Sequence, residues 1–201
     1  AGLVAKPAFG LWVKADSPFQ HPRDLKGGRV GVTRLGAPTH MIGRIILKAH
    51  GIEKDVKFVG AGGPAEYIAA LKTGSVEAVI SRFSTMVKLK LPGEVRELAF
   101  SGDYLPKPWV EDVVFARKDY LQSQPDQAKR VLRAILQAAD FIRKNPRWAI
   151  DKMKSFQGLS EEAARLVYDD MELTVSGRLD REAVENVRRL LIEYGIITEK
   201  A

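Results

Sequence analysis

The residues of this sequence best suited to chemistry fall in two short stretches. The first, Arg34-Leu35-Gly36-Ala37-Pro38-Thr39-His40, follows Thr33 and gathers two hydroxyls, a guanidinium and an imidazole around small residues. That mixture suits an anion. Arg34 supplies a charge-assisted pair, Thr33 and Thr39 add hydroxyl donors, and Gly36 and Ala37 let a ligand reach backbone N–H groups. The second stretch, Ser81-Arg82-Phe83-Ser84, again sets a hydroxyl beside a guanidinium. A well-formed turn accounts for the first stretch equally well, and a lone arginine is most often a solvated surface charge.

Other chemistries find less support. Gly60-Ala61-Gly62-Gly63-Pro64 resembles a phosphate cradle only loosely, because neither a GxGxxG spacing nor a Walker lysine follows it. A tight turn explains its glycines. His21, His40 and His50 lack the spacing of metal ligands, so no metal and no cofactor is indicated. The chain has no cysteine, which excludes disulfides, iron-sulfur ligation and thiol nucleophiles together. With no Ser/His/Asp order and no frame of paired carboxylates, the reading is a protein without catalysis.

The elements that must position the two stretches alternate. Arg29 to Thr33 is a short β-branched strand, followed by a helix with Met41, Ile42, Ile45, Ile46 and Ala49 on one side, and by Gly51-Ile52 as a left-handed cap. Val56 to Gly60 is the next strand, the helix with Tyr67, Ile68 and Leu71 closes at Gly74, and Val76 to Ile80 is a third strand. Short connections between strands and helices imply right-handed crossovers and a parallel, helix-covered sheet, hence an α/β fold. Both candidate stretches then lie at the carboxyl ends of strands, where open α/β sheets bind ligands.

Further on, Val95 to Phe100 and Asp112 to Ala116 read as strands, with the Pro-rich segment Ser101 to Val110 as a connection between lobes. Within it Trp109, beside Glu111 and Asp112, packs the hinge or closes over a ligand; Trp12 and Trp148 read as core or helix-packing residues. The remainder is helical. Ser123 caps a helix carrying Leu132, Ile135, Leu136, Ala139 and Ile142 up to Pro146; Ser160 opens a second and Asp180 a third, which ends at Gly195. No strand follows Ala116, so these amphipathic helices are short of a sheet to cover.

Composition bounds the partners. Of 201 residues, 45% are hydrophobic and 28% charged, which suits an ordinary folded chain rather than a disordered one. The net charge is +7, and residues 1–60 carry most of the excess, with only Asp16, Asp24, Glu53 and Asp55 as acids. The basic residues are dispersed singly, without a recognition helix or aromatic RNA-binding strand, so nucleic acid is not indicated. No apolar run approaches the roughly 20 residues of a bilayer span. Ala1 to Gly10 has no signal-like apolar core, so any export signal is absent or already removed.

Asp24-Leu25-Lys26-Gly27, Val30-Gly31-Val32 with Gly36 and its helix, Ala69-Ala70-Leu71 with Gly74-Ser75-Val76-Glu77-Ala78, and Ala183-Val184-Glu185-Asn186-Val187 leading to Tyr194-Gly195-Ile196-Ile197 occur together in this order. Their order resembles the substrate-binding proteins of ABC importers of the nitrate/sulfonate/taurine type, with Glu77 where that family usually has Asp. The resemblance implies a type II periplasmic-binding-protein fold, whose two lobes close on a small ligand. It assigns residues 1–23 to an inter-lobe crossover, 24–102 to a complete α/β lobe, and 103–201 to a hinge and the helical part of the other lobe. By comparison, the N-terminal part of the first lobe is lacking. The implied role is non-enzymatic capture of a small anion such as a sulfonate, nitrate or an organic acid, delivered to an ABC permease from a periplasmic or extracytoplasmic location. Ligand contacts carried over by the resemblance are Gly36, Ala37, Thr39 and His40, together with Ser81 and Arg82. Replacing Gly36 by a bulky residue is expected to abolish binding and leave the fold.

Three other readings share the fold. One is an effector-sensing domain like that of LysR-type regulators, disfavoured by the lack of a DNA-reading helix. Another is an enzyme resembling thiamine-pyrimidine synthases, disfavoured by the absence of their cysteine-rich signature. The last is a truncated lobe whose exposed helical stripes pair two copies into a homodimer.

Overall fold

The computed structural model describes residues 1–199. In chain order its strands are β1 (Gly2–Val4), β2 (Phe9–Lys14), β3 (Arg29–Val32), β4 (Lys57–Gly60), β5 (Ala78–Arg82), β6 (Val95–Phe100) and β7 (Asp112–Val113). Its α-helices are α1 (Pro38–Ala49), α2 (Pro64–Lys72), α3 (Phe83–Lys90), α4 (Lys118–Ser123), α5 (Pro125–Lys144), α6 (Pro146–Gln157), α7 (Glu161–Asp170) and α8 (Arg181–Glu193). Contacts divide the chain into two compact units: residues 7–106 with the stretch from Arg189 onward, and residues 1–6 with 107–188.

The first unit is built on a five-stranded sheet of order β4-β3-β5-β2-β6. β3 runs parallel to β4 and β5, with Val30 opposite Phe58 on one side and Ala78 on the other. β2 runs antiparallel to both β5 and β6. The family resemblance assigns this segment to a crossover, and the residue pattern marks no strand there. Its residues Phe9 to Val13 are all buried, and a strand covered on both faces shows a continuous apolar run rather than alternation. Gly10 suits it, because a Cβ there would lie 2.7 Å from Nε1 of Trp12, whose ring is fully buried and cannot give way.

Helices cover both faces. Tyr67 and Leu71 of α2 and Met86 of α3 pack with Trp12, Val76, Val79 and Val95. α1 lies on the opposite face, so close that a Cβ on Gly43 would meet the Phe58 ring at 2.7 Å and Ile80 at 3.1 Å. α1 ends as its sequence requires: Gly51 adopts φ +74°, and the Ile52 N–H returns to the Leu47 carbonyl at 3.0 Å. The end of the chain is tied to α1 as well. Arg44 stacks 4.6 Å over the Tyr194 ring and donates to the Tyr194 carbonyl, while Lys48 pairs with Glu193 at 2.5 Å. α3 was not read from the sequence, because it starts directly after β5 with no side-chain cap.

The second unit holds a two-stranded antiparallel ribbon, β1 with β7, in which Gly2 faces Val113. The strand expected over Asp112 to Ala116 thus shortens to two residues. Ser160 and Asp180 cap α7 and α8, accepting from Ala163 N at 3.1 Å and from Glu182 N at 2.8 Å. Ser123 does not cap α5. It is the last residue of α4, its hydroxyl donates back to the Asp119 carbonyl at 2.8 Å, and Gln124-Pro125 open α5 instead. Pro146 does end α5, but it also sits in the first turn of α6, where proline's missing N–H costs nothing. The apolar stripe of α5 is only partly covered: Ala139 is buried, whereas Leu132, Ile135, Leu136 and Ile142 are half-buried. Trp148 is 44% exposed and stacks edge-on against Phe141 at 4.9 Å, so it is a helix-packing residue outside the core.

Candidate functional site

In the sheet unit the chain leaves β3 and β5 in opposite directions. It passes from β3 through α1 outward to β4, returns through α2 to β5, and goes on through α3 past β2 to β6. The carboxyl ends of β3 and β5 therefore flank a topological switch point, the usual seat of a ligand in an open α/β sheet. The residues at this edge are the turn from Thr33 to Ala37 after β3, the loop from Ala61 to Gly63 after β4, and Arg82 at the end of β5. Phe9 joins them, because β2 begins opposite Arg82.

The β3–α1 turn is tied together from within. Thr39 Oγ1 accepts from the Thr33 N–H at 3.0 Å and lies 2.9 Å from Thr33 Oγ1. The Gly36 N–H donates to His40 Nδ1 at 2.9 Å, and the Ala37 N–H to the Arg34 carbonyl at 3.2 Å. Gly36 holds φ +80° with open space where its Cβ would be. These contacts change the role expected for Gly36 and Ala37. Their amides are engaged inside the turn, so glycine serves the left-handed backbone rather than a close approach by the ligand.

What the turn can offer outward is a hydroxyl, a cation and a helix end. Either hydroxyl of the Thr33–Thr39 pair can donate to the other; with the buried Thr39 as donor, the proton of the half-buried Thr33 is left for an outside acceptor. Arg34 is exposed beside it. α1 begins with no side-chain cap and no acid in its first turn. α2 differs in that Glu66 sits in its first turn, with Oε2 3.1 Å from where a Gly63 Cβ would be. The Gly-rich loop is thus already covered by a carboxylate, and of these two strand-to-helix turns only the β3–α1 turn is left without one.

His40 is half-buried, with its ring edge-on to Phe58 at 4.8 Å. Burial, and then the nearby Arg44, push its pKa below the ordinary histidine value. Arg82 is half-buried and lays its guanidinium 4.8 Å from the centre of the Phe9 ring. Ser81 departs from the expectation of a ligand contact. It is 1% exposed, its hydroxyl bonds the Tyr67 hydroxyl at 2.8 Å, and its carbonyl accepts from Trp12 Nε1 at 3.1 Å. It is a buried polar pair under α2. Phe9 and Phe58 are the edge residues that sequence reasoning missed, and the apolar run opening at Phe9 was the available signal for the first.

Away from this edge, His21 and His50 meet edge-on at 4.7 Å, and His50 Nε2 lies 2.9 Å from the Tyr104 hydroxyl. Trp109 is buried, its Nε1 donating to Glu111 at 2.8 Å. Among the described residues no group of three metal-ligating side chains converges, and no helix is long and apolar enough to cross a membrane.

A five-stranded sheet with an antiparallel strand inserted beside a switch point, and a mainly helical companion unit, defines the fold class of the periplasmic binding proteins. The aliphatic sulphonate binding protein SsuA of Escherichia coli superposes with a TM-score of 0.78 at 20% identity, over 98% of this chain and 64% of that one. The desulfurization enzyme DszB shares the fold at a TM-score of 0.65 and 17% identity, over 98% of this chain and 72% of its own. A putative binding protein of Brucella abortus is 28% identical over 160 residues, 78% of this chain and 50% of that protein. The profile of the NMT1/THI5-like family matches residues 1–149, and the chain belongs to that family. It spans about half the length of the curated relatives it matches.

Proposed function

We propose that this chain is the ligand-capturing part of a non-enzymatic solute-binding component of an ABC import system, taking a small anion such as a sulfonate, nitrate or an organic acid. The observation that carries the reading is the β3–α1 turn, where a helix end without a carboxylate, Arg34 and a spare hydroxyl proton meet at the switch point beside Arg82. The sulphonate in the name of the Escherichia coli relative and the putative binding role of the Brucella protein agree with it. An anion there gains from the helix dipole and from charge-assisted bonds together. The partner is an ABC permease, and the working location is outside the cytoplasmic membrane. Residues 24–102, with β2 added, form the ligand-holding lobe. Pairing of two copies through the half-exposed face of α5 belongs to the same proposal, and a strict monomer by light scattering across concentrations removes that part.

The test is thermal unfolding against nitrate, bicarbonate, short sulfonates and carboxylates at constant ionic strength, so that screening does not imitate binding. A ligand at 100 times its Kd stabilises by about 2.7 kcal/mol. A selective shift that is lost in Arg34→Ala supports the site; a shift unaltered by Arg34→Ala and Arg82→Ala moves it elsewhere, and no shift from any anion rejects the reading.

A further inference from the structure

We infer that His40 is a positioning residue: its neutral ring, through Nδ1, holds the Gly36 N–H and so fixes the β3–α1 turn, which makes the anion site weaken in mild acid. The inference deepens the proposed function and rests on it for the anion, though not for the tie itself.

The geometry is decisive about the proton. A backbone N–H can only donate, so the ring nitrogen 2.9 Å from Gly36 N must present a lone pair. That fixes the tautomer with hydrogen on Nε2. A protonated ring carries hydrogen on both nitrogens, and the two N–H groups would then point at each other. The bond cannot survive protonation. Gly36 would lose the tie that holds its left-handed φ of +80°, in a turn whose Cβ space is otherwise open.

The surroundings favour the neutral ring. Phe58 of β4 faces it with an uncharged aromatic edge at 4.8 Å. The charged groups it feels are Arg44, one turn further along α1, and Glu53 in the turn after that helix. These two pair with each other at 2.6 Å, so their pulls on the ring oppose. The ring also sits in the first turn of α1, where the positive end of the helix disfavours added positive charge. Two consequences of protonation compete at the site. An added positive charge attracts an anion, but from an exposed turn in salt that attraction is screened, whereas the lost tie acts directly on the turn. Loss of the tie should prevail, weakening binding about fivefold, the size of one ordinary hydrogen bond.

Asparagine supplies the discriminating variant, because its Oδ1 stands where Nδ1 stands and cannot titrate. The experiment has two readouts on the full chain. The first needs no ligand: long-range proton–nitrogen spectra of the imidazole, and the Gly36 amide shift followed from pH 8 to pH 5. Nδ1 should be unprotonated at pH 8, and the Gly36 amide should titrate together with His40. The second is the affinity for ethanesulfonate and nitrate at pH 7.5 and pH 5.5. The wild type should weaken as His40 takes up its proton, towards a limit of about fivefold when protonation is complete, His40→Leu should be weak at both values, and His40→Asn should recover most of what leucine loses and be flat with pH. A Gly36 amide that ignores the His40 titration overturns the inference, as does an affinity that rises in acid or a His40→Leu variant that binds like the wild type. If neither anion binds while the amide titrates as stated, the function proposal fails and the tie stands.

Discussion

Gly43→Ala is the substitution in which helix preference and tertiary packing disagree most openly. Alanine in the interior of α1 should gain about 1 kcal/mol over glycine by propensity alone. The structure opposes it, because the added methyl would lie 2.7 Å from Cε1 of Phe58 and 3.1 Å from Cγ1 of Ile80. The Phe58 ring is half-buried on the edge strand β4 and can swing. Ile80 cannot: it is fully buried on the central strand β5. Overpacking of this kind costs about 1–3 kcal/mol, so the net change should be a loss of about 1 kcal/mol. Urea unfolding followed by Trp fluorescence reads it, as a lower midpoint with an unchanged slope. Because Phe58 also backs the His40 ring, the Gly36 amide should shift in the same variant. In a Phe58→Leu background the methyl has more room, and the loss should shrink or reverse. A Gly43→Ala protein at least as stable as the wild type would refute the claim that α1 is held at this distance from the sheet.

The buried pair under α2 gives a second test. Ser81→Ala leaves the Tyr67 hydroxyl unpartnered and should cost about 1–2 kcal/mol; Tyr67→Phe leaves the Ser81 hydroxyl only its long 3.5 Å bond to the Arg82 carbonyl and should cost about 1 kcal/mol, while the double variant costs less than their sum; the anion response should persist in all three, and its loss in Ser81→Ala would return Ser81 to the site. The third concerns pH. Burial foremost holds both His40 and His50 below the histidine reference of 6.5. A depressed histidine binds its proton more readily in the unfolded chain, so its contribution is complete above 6.5 and is lost as pH falls through the folded value. Thermal midpoints should therefore decline below about pH 6.5. Asp24 and Glu77, held low by backbone N–H donors and by Arg29 respectively, keep their contribution until the carboxylate range. A midpoint that rises between pH 7 and pH 5 would contradict the sign.

Much of the sheet unit is legible in the sequence, because its punctuation is made of residues with one job. Gly51 and Gly74 both take positive φ at helix ends, and the strands opening at Arg29, Lys57 and Ala78 lie between such markers. β2 was unreadable for the opposite reason, since a strand with two neighbours and two covered faces carries no alternation. The same physics hid Ser81. On β5, Val79 and Ser81 face α2 while Ile80 faces α1, and nothing in the sequence distinguishes a hydroxyl turned into a core from one turned to a ligand. Pro146 was ambiguous because proline ends one helix and begins another equally well. At the candidate site the residue types were visible and their partners were not: the sequence places Gly36 and His40 four apart, and only the fold shows that one holds the other.

That internal bonding bears on how the site would work. α1 is fixed along its length, by Thr39 and His40 to its own turn, by Gly43 to the sheet, and by Arg44 and Lys48 to the residues around Tyr194. The turn is therefore shaped before any ligand arrives, and an anion need not order it. When the ordering cost is small, affinity depends on the groups that meet the ligand, which in the proposed site are Arg34, Arg82 and one hydroxyl. Selectivity among anions must then come from what surrounds those groups. The Phe9 ring beneath Arg82 and the exposed side chain of Leu35 give this edge an apolar border. An anion with a short apolar tail would cover that border, whereas nitrate would leave it wet, so a sulfonate with an alkyl group should outbind nitrate at equal ionic strength.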